Sequence, residues 1–265
     1  MREALVSPLR IAGAATRIAV GDLRAVYSPL SWGVGWLGRV LSQVLFFAII
    51  GLLLQDPDLL LRLALGQAVL LCWLESMLSV QSTGWERSTG SFPLLVAAPG
   101  ALWPVLVGRS VQWMGSALAT SSIALFALCT ALGVRWTAAG VLLALLGLVA
   151  TALGGYAVGL AVGAAVLHAR RWRNVVPNVL NAALVATAGV TVPTEFWPPA
   201  VQWAVQALPL PHALAFVRGA AAGSADPAQL CAALALAAGW LVVACCSLGW
   251  FVHAGRRDGS IAFDE

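Results

Sequence analysis

The sequence predicts an all-α integral membrane protein: six transmembrane helices, an amphipathic helix ahead of them on the membrane surface, a short cytoplasmic helix, and a re-entrant helix pair outside. Three observations carry this. Of 265 residues, 60% are hydrophobic and only 10% charged, where soluble domains carry roughly 25% charged residues, and the mean hydropathy is +0.88. Six apolar stretches approach or exceed the roughly 20 residues that cross a hydrocarbon core about 30 Å thick. The 15 basic residues, every one of them Arg, collect on one side of those stretches.

Residues 1–28 lack a continuous apolar core, because Arg17 interrupts the best candidate, so a cleaved signal peptide is not expected. Arg10, Arg17 and Arg24 recur every seven residues and Arg2 stands eight before Arg10, which puts all four near one stripe of a helix, with Leu5, Leu9, Ile18 and Leu23 on other faces. This reads as an amphipathic helix on the inner leaflet, arginines among anionic headgroups; the alternative is a disordered basic tail. The transmembrane domain occupies 29–255 and a cytoplasmic tail 256–265. The expected spans cover about 32–54, 61–80, 102–134, 138–167, 177–192 and 229–253. The third and fourth are long enough to tilt or project, and the fifth is short.

Orientation follows from the arginine excess of cytoplasmic loops. With the N-terminus inside, Arg2, Arg10, Arg17, Arg24, Arg87, Arg170, Arg171, Arg173, Arg256 and Arg257 are cytoplasmic, and only Arg62, Arg135 and Arg218 are outside. Arg39 and Arg109 lie within spans, about two turns from their cytoplasmic ends, where a guanidinium can snorkel. Both termini are therefore expected inside. Trp32, Trp36, Trp103, Trp136, Trp172, Trp197 and Trp250 fall near span ends, as an interfacial belt requires; Trp73, Trp113 and Trp240 lie deeper, where they pack helices or line a path. Gly155, Gly159 and Gly163 leave one face of the fourth span smooth for another helix.

Much chemistry is excluded. Without lysine there is no phosphate-gripping Lys of a P-loop, no Schiff base and no lysine base. Cys72, Cys129, Cys231, Cys245 and Cys246 sit in apolar runs without metal-site spacing. His168, His212 and His253 are each more than 40 residues apart. No Gly-x-Ser-Gly, His-Glu-x-x-His or paired intramembrane aspartates occur. No catalytic residue and no metal ligand is assigned, and the net charge of +4 reads as topological rather than as a nucleic-acid surface.

Two segments depart from a simple bundle. Residues 85–99 form a polar turn followed by a short apolar piece stopped by Pro99, facing the cytoplasm. This suits a compact helix that inserts into a partner's groove; the plainer reading is a capped loop. Residues 193–223 contain Pro193, Pro198, Pro199, Pro209 and Pro211, too many for one straight span, in a sequence too apolar for a solvated loop. Two short helices, about 199–208 and 212–222, broken at Pro209 and dipping into the outer leaflet, satisfy both facts; the alternative is an external amphipathic loop. Glu195 and Arg218 flank this hairpin.

The order of a basic interfacial helix, two spans, Trp85-Glu86-Arg87-x-x-Gly90 leading to Leu94-Leu95-x-x-x-Pro99, three spans, Pro193-x-x-x-x-Pro198, Leu208-Pro209-x-Pro211 with Arg218, and a last span resembles the type-2 ABC exporter permeases. These are the membrane halves of bacterial drug, antibiotic, lipid and polysaccharide exporters. The resemblance covers nearly the whole chain; Ser91 stands where the family often has Thr. It implies a coupling helix at about 85–99, with Glu86, Arg87, Gly90, Leu94, Leu95 and Pro99 docking on a separate ATPase, a connecting helix bearing Arg2, Arg10, Arg17 and Arg24, and an outer gate shaped by Pro193, Glu195, Pro198, Pro209, Pro211 and Arg218. It also implies a bacterial plasma-membrane assembly of two permease chains, expected as a homodimer, with two ATPase chains. ATP and Mg would then belong to the ATPase and no cofactor to this chain. Multidrug resistance is one role such exporters have.

A path between two such chains would be lined by the first, second and fifth spans, with Gln43, Phe46, Phe47, Asn178 and Asn181 as its polar or aromatic candidates. Few fixed charges suit a hydrophobic or amphipathic cargo, and only two tyrosines, Tyr27 and Tyr156, make a polysaccharide the weaker option. The alternative from another class is an ion-coupled secondary transporter, which places ionisable groups near mid-membrane. Glu75, toward the cytoplasmic end of the second span, is the only acid well inside a span, and no internal repeat of the spans is evident.

Overall fold

The computed structural model describes residues 7–26, 28–80, 102–166 and 175–258, and these are helical apart from the connecting turns. Helix α1 runs Pro8–Val26, α2 Ser31–Leu53, α3 Pro57–Ser76, α4 Trp103–Ala131 and α5 Ala138–Val166. The chain continues through α6 (Val175–Thr187), a 3-10 turn (Thr194–Phe196), α7 (Pro199–Gln206), α8 (Pro209–Ala222) and α9 (Pro227–Asp258). Among the described residues, α2, α3, α4, α5 and α9 are long and apolar enough to cross a membrane.

The stretch expected as a fifth span, about 177–192, falls on α6, which starts two residues earlier and is only 13 residues long. At about 1.5 Å per residue that is roughly 20 Å, short of a 30 Å core. The helix stops because Gly189 takes φ 77° and side chains cap its last carbonyls: Thr191 Oγ1 donates to Val185 at 3.1 Å and Trp197 Nε1 to Ala186 at 3.2 Å. Helix α3 starts earlier than the expected 61. Asp56 accepts from the Leu59 amide at 3.0 Å and Pro57 occupies the first turn, a cap of about 1 kcal/mol.

Helices α3 and α5 are the most enclosed of the spans. Helix α2 packs on α3, α4 contacts α3 and α5, and α8 and α9 cover the other side of α5. Close approach to α5 depends on its glycines. A Cβ on Gly155 would stand 2.7 Å from the Trp73 carbonyl oxygen, and one on Gly159 would stand 2.8 Å from that of Met77. Gly154 meets Pro209 at the start of α8. Helix α1 lies along the start of α4: at Gly108 a Cβ would strike the Ala12 carbonyl oxygen and come 2.8 Å from Ala15 Cβ. Helices α2 and α9 leave long apolar faces uncovered, with Phe46, Ile49, Leu52 and Leu53 on α2 and Val242, Val243 and Trp250 on α9 all exposed.

Candidate functional site

An apolar bundle leaves its few buried polar groups to find partners within the protein, because hydrocarbon offers no water. At the C-terminal end of α3, Glu75 is 2% exposed. Trp36 Nε1 of α2 donates to its Oε1 at 2.6 Å and Thr120 Oγ1 of α4 to its Oε2 at 2.8 Å. The Arg39 guanidinium stacks 4.8 Å from the Trp36 ring centroid, and the Trp113 ring of α4 lies 6.4 Å from Trp36. Three helices thus meet on one carboxylate.

Farther along the same α2–α3 contact, Gln43 Nε2 donates to Gln67 Oε1 at 3.4 Å. Trp36 and Gln43 are seven residues apart and share a face of α2, so the Trp36–Glu75 and Gln43–Gln67 pairs form two rungs of one antiparallel interface. Gln67 is fully buried and its Nε2 has no partner.

Beside this, α1 is tied to α4 by Arg109 Nη1 donating to Asp22 Oδ2 at 2.9 Å. The Tyr156 hydroxyl of α5 donates to the Val107 carbonyl at 2.7 Å and accepts from Ser110 Oγ at 3.0 Å. Ser79 Oγ, just beyond α3, donates to the Tyr156 carbonyl at 3.1 Å.

At the opposite end, Arg218 of α8 donates to the carbonyls of Gly189 at 2.9 Å, Arg62 at 3.2 Å and Val190 at 3.3 Å. Its guanidinium clasps the turn after α6 onto the start of α3. Glu195 is exposed and accepts from Thr194 Oγ1 at 3.2 Å, so the two hairpin-flanking charges are not partners in these bonds. Pro193 and Pro198 precede the 3-10 turn and α7, Pro209 opens α8, and Pro211 lies within its first turn. His212 holds the hairpin to α9, its ring nitrogens 2.9 Å from Gln229 Oε1 and 3.1 Å from the Gln206 carbonyl oxygen.

Of the other residues singled out in the sequence, Arg10, Arg17 and Arg24 are exposed on α1. Phe46 is exposed and stacks edge-on with Phe47 at 5.4 Å. Asn178 is exposed, and Asn181 keeps its Oδ1 buried without a partner. Helix α6 packs on α5 and α7 rather than extensively on α2, so one chain does not gather Gln43, Phe46 and Phe47 with Asn178 and Asn181. Arg2 and the segment carrying Glu86, Arg87, Gly90, Leu94, Leu95 and Pro99 lie outside the described residues. An open depression of about 790 Å³ at the α4–α5 corner, lined by Phe126, Thr130, Arg135 and Trp136 among others, lies apart from all of these. No cluster able to hold a metal occurs among the described residues.

Sequence reasoning marked Glu75 as the lone acid inside a span but missed Trp36 and Thr120 as its partners, Gln67 as the partner of Gln43 and Asp22 as that of Arg109. The one available signal was the spacing of polar residues on facing helices, seven on α2 and eight on α3.

A family model described as "ABC-2 type transporter" matches residues 30–221, which takes in α2 to α8. A search of curated proteins finds no match. Such permeases work with ABC ATPase subunits and carry no catalytic site of their own. A multi-pass helical bundle with its buried polar groups turned inward, matched to that family over most of its length, belongs to the ABC-2 type transporters as a membrane permease subunit.

Proposed function

We propose that this chain pairs with a second copy of itself to form the pathway of an ATP-driven exporter for a hydrophobic or amphipathic cargo, such as a drug-like natural product, an antibiotic or a lipid. Two ABC ATPase subunits bind ATP and Mg²⁺ and supply the energy; this chain supplies the conduit. The observation that carries the reading is the family match over residues 30–221. In this reading both termini face the cytoplasm of a bacterial cell, α1 lies on the inner leaflet, and α6 with its flanking residues makes the sixth crossing. Helices α7 and α8 dip into the outer leaflet as a gate.

The exposed apolar face of α2 and the separation of α2 from α6 within one chain both suit a path lined where two chains meet. ATP drives transport only if its binding favours one arrangement of the spans over another. Residues 85–99 provide that link by docking on the ATPase.

The test is co-purification with an ABC ATPase, then ATP-dependent movement of a fluorescent amphipathic dye and a fluorescent phospholipid in vesicles holding both proteins. Glu86→Arg combined with Arg87→Glu is expected to leave the permease folded and ATP hydrolysis running while export stops. Export at the parent rate in that double variant would remove the coupling role, and transport by the permease alone would remove the ATP-driven class.

A further inference from the structure

We propose that Glu75 is the joint through which movement of the inner end of α3 reaches α2. The proposal rests on the reading that the segment after α3 is pushed by an ATPase, and it assigns a positioning role to a residue outside that segment.

The argument begins with where the acid stands. Glu75 lies in the last turn of α3, ten residues before the start of the 85–99 segment, and α4 begins at Trp103, four residues after its end, so a push on that segment arrives at this end of α3 and at the start of α4. Its two oxygens are divided between two other helices, Oε1 to the Trp36 indole of α2 and Oε2 to the Thr120 hydroxyl of α4. Both bonds are short, as bonds to a carboxylate are. The site is closed to water at 2% exposure, so a bond that breaks here is not replaced by solvent. Arg39 stacked on Trp36 and Trp113 beside it hold the indole at its post.

The rest of the α2–α3 contact cannot do the same work. Among the described residues, the other side-chain hydrogen bond between α2 and α3 is Gln43–Gln67, whose 3.4 Å separation is long for a hydrogen bond. Apolar side chains slide over one another at little cost in a medium as apolar as themselves. The inner end of α3 is itself anchored to α5 through Gly155, Gly159 and Ser79. Helix α2 has its close glycine contact only at the other end, where Gly51 meets the Leu60 backbone of α3; near Glu75 nothing comparable seats it, and it is the helix whose outer face would meet the second chain. With the Glu75 bonds intact, α2 follows α3 and α4; without them, α3 moves and α2 lags.

The test uses the full chain with its five cysteines replaced by alanine, assembled with the co-purifying ATPase in lipid nanodiscs. A single spin label reports the distance between the two copies by double electron–electron resonance. One sample carries the label at Leu53→Cys on α2 and a second at Ala131→Cys on α4, both exposed positions. In the parent, ATP trapping is expected to shift both distances. In Trp36→Phe and in Thr120→Val, the α4 distance is expected to shift as before while the α2 distance stays at its nucleotide-free value or broadens. ATP hydrolysis and the thermal midpoint should stay within about twofold and a few degrees of the parent. Thr120→Ser, which keeps the hydroxyl, should restore the α2 shift; a purely structural role would not separate valine from serine in this readout.

An α2 distance that follows nucleotide in both Trp36→Phe and Thr120→Val overturns the joint while leaving the exporter reading intact. A parent in which neither label responds to nucleotide overturns that reading, and the joint with it.

Discussion

Replacing Gly108 with alanine should loosen α1 from α4. The added methyl would strike the Ala12 carbonyl oxygen and lie 2.8 Å from Ala15 Cβ; the first of these is backbone, which cannot swing aside. Forcing an extra methyl into such a contact costs about 1–3 kcal/mol. The better helix propensity of alanine, worth about 1 kcal/mol, does not offset this cost, because it stabilises α4 equally whether α1 is docked or not. At roughly 1.4 kcal/mol per tenfold, the undocked fraction rises roughly 5- to 140-fold. Trypsin reads that fraction directly, since α1 carries Arg10, Arg17 and Arg24 and cleavage tracks the open population when opening is fast. Cleavage within α1 of the detergent-solubilised protein should accelerate by that factor. Two controls set the scale: Gly115→Ala, in the same helix with nothing within 4 Å, should leave the rate alone. Asp22→Ala removes an ion pair whose acid is half exposed, worth about 0–1 kcal/mol, and should accelerate cleavage by roughly fivefold at most. A Gly108→Ala rate equal to the parent's, or an equal rise with Gly115→Ala, would refute the reasoning.

Arg218→Ala should destabilise the junction of α8 with the start of α3 by about 2–3 kcal/mol, because a charged donor is lost to three carbonyls; at about 2–4 °C per kcal/mol the thermal midpoint should fall by roughly 4–12 °C. Arg218→Lys should recover less than half of this, since one ammonium cannot span the same three oxygens, and a midpoint within a degree of the parent in Arg218→Ala would remove the clasp. Tyr156→Phe gives up bonds to Val107 and Ser110 and should cost about 1–2 kcal/mol, seen as a midpoint lowered by roughly 2–8 °C. No fall would mean that the hydroxyl is not a structural tie.

Hydropathy locates the long helices because it depends only on which residues are apolar, and α2, α4, α5 and α9 fall close to where the apolar runs lie. It misplaces ends where a cap rather than composition decides: Asp56 and Pro57 begin α3 inside a stretch that still reads as polar. It overestimates α6 because Val190 and Val192 are apolar yet follow a glycine that has already turned the chain. In the hairpin, prolines are legible as helix starts, and Pro199 and Pro209 both sit in first turns, where a missing amide hydrogen costs nothing. The partners of Glu75 were not legible. Trp36 and Thr120 lie 39 and 45 residues away, and their meeting depends on the rotational phase of three helices, which depends on packing. Gln43 suited a substrate path by its chemistry; that its amide turns toward Gln67 is a property of the α2–α3 pair, not of α2 alone.

The two rungs between α2 and α3 also decide what the neighbourhood of α2 can be. Spinning α2 about its own axis would strip Trp36 from Glu75 and Gln43 from Gln67 at once, inside hydrocarbon where neither finds a substitute. The strip formed by Leu45, Phe46, Ile49, Leu52 and Leu53 is therefore a fixed keel, and any lipid tail or protein surface that comes alongside meets the same five side chains in the same order.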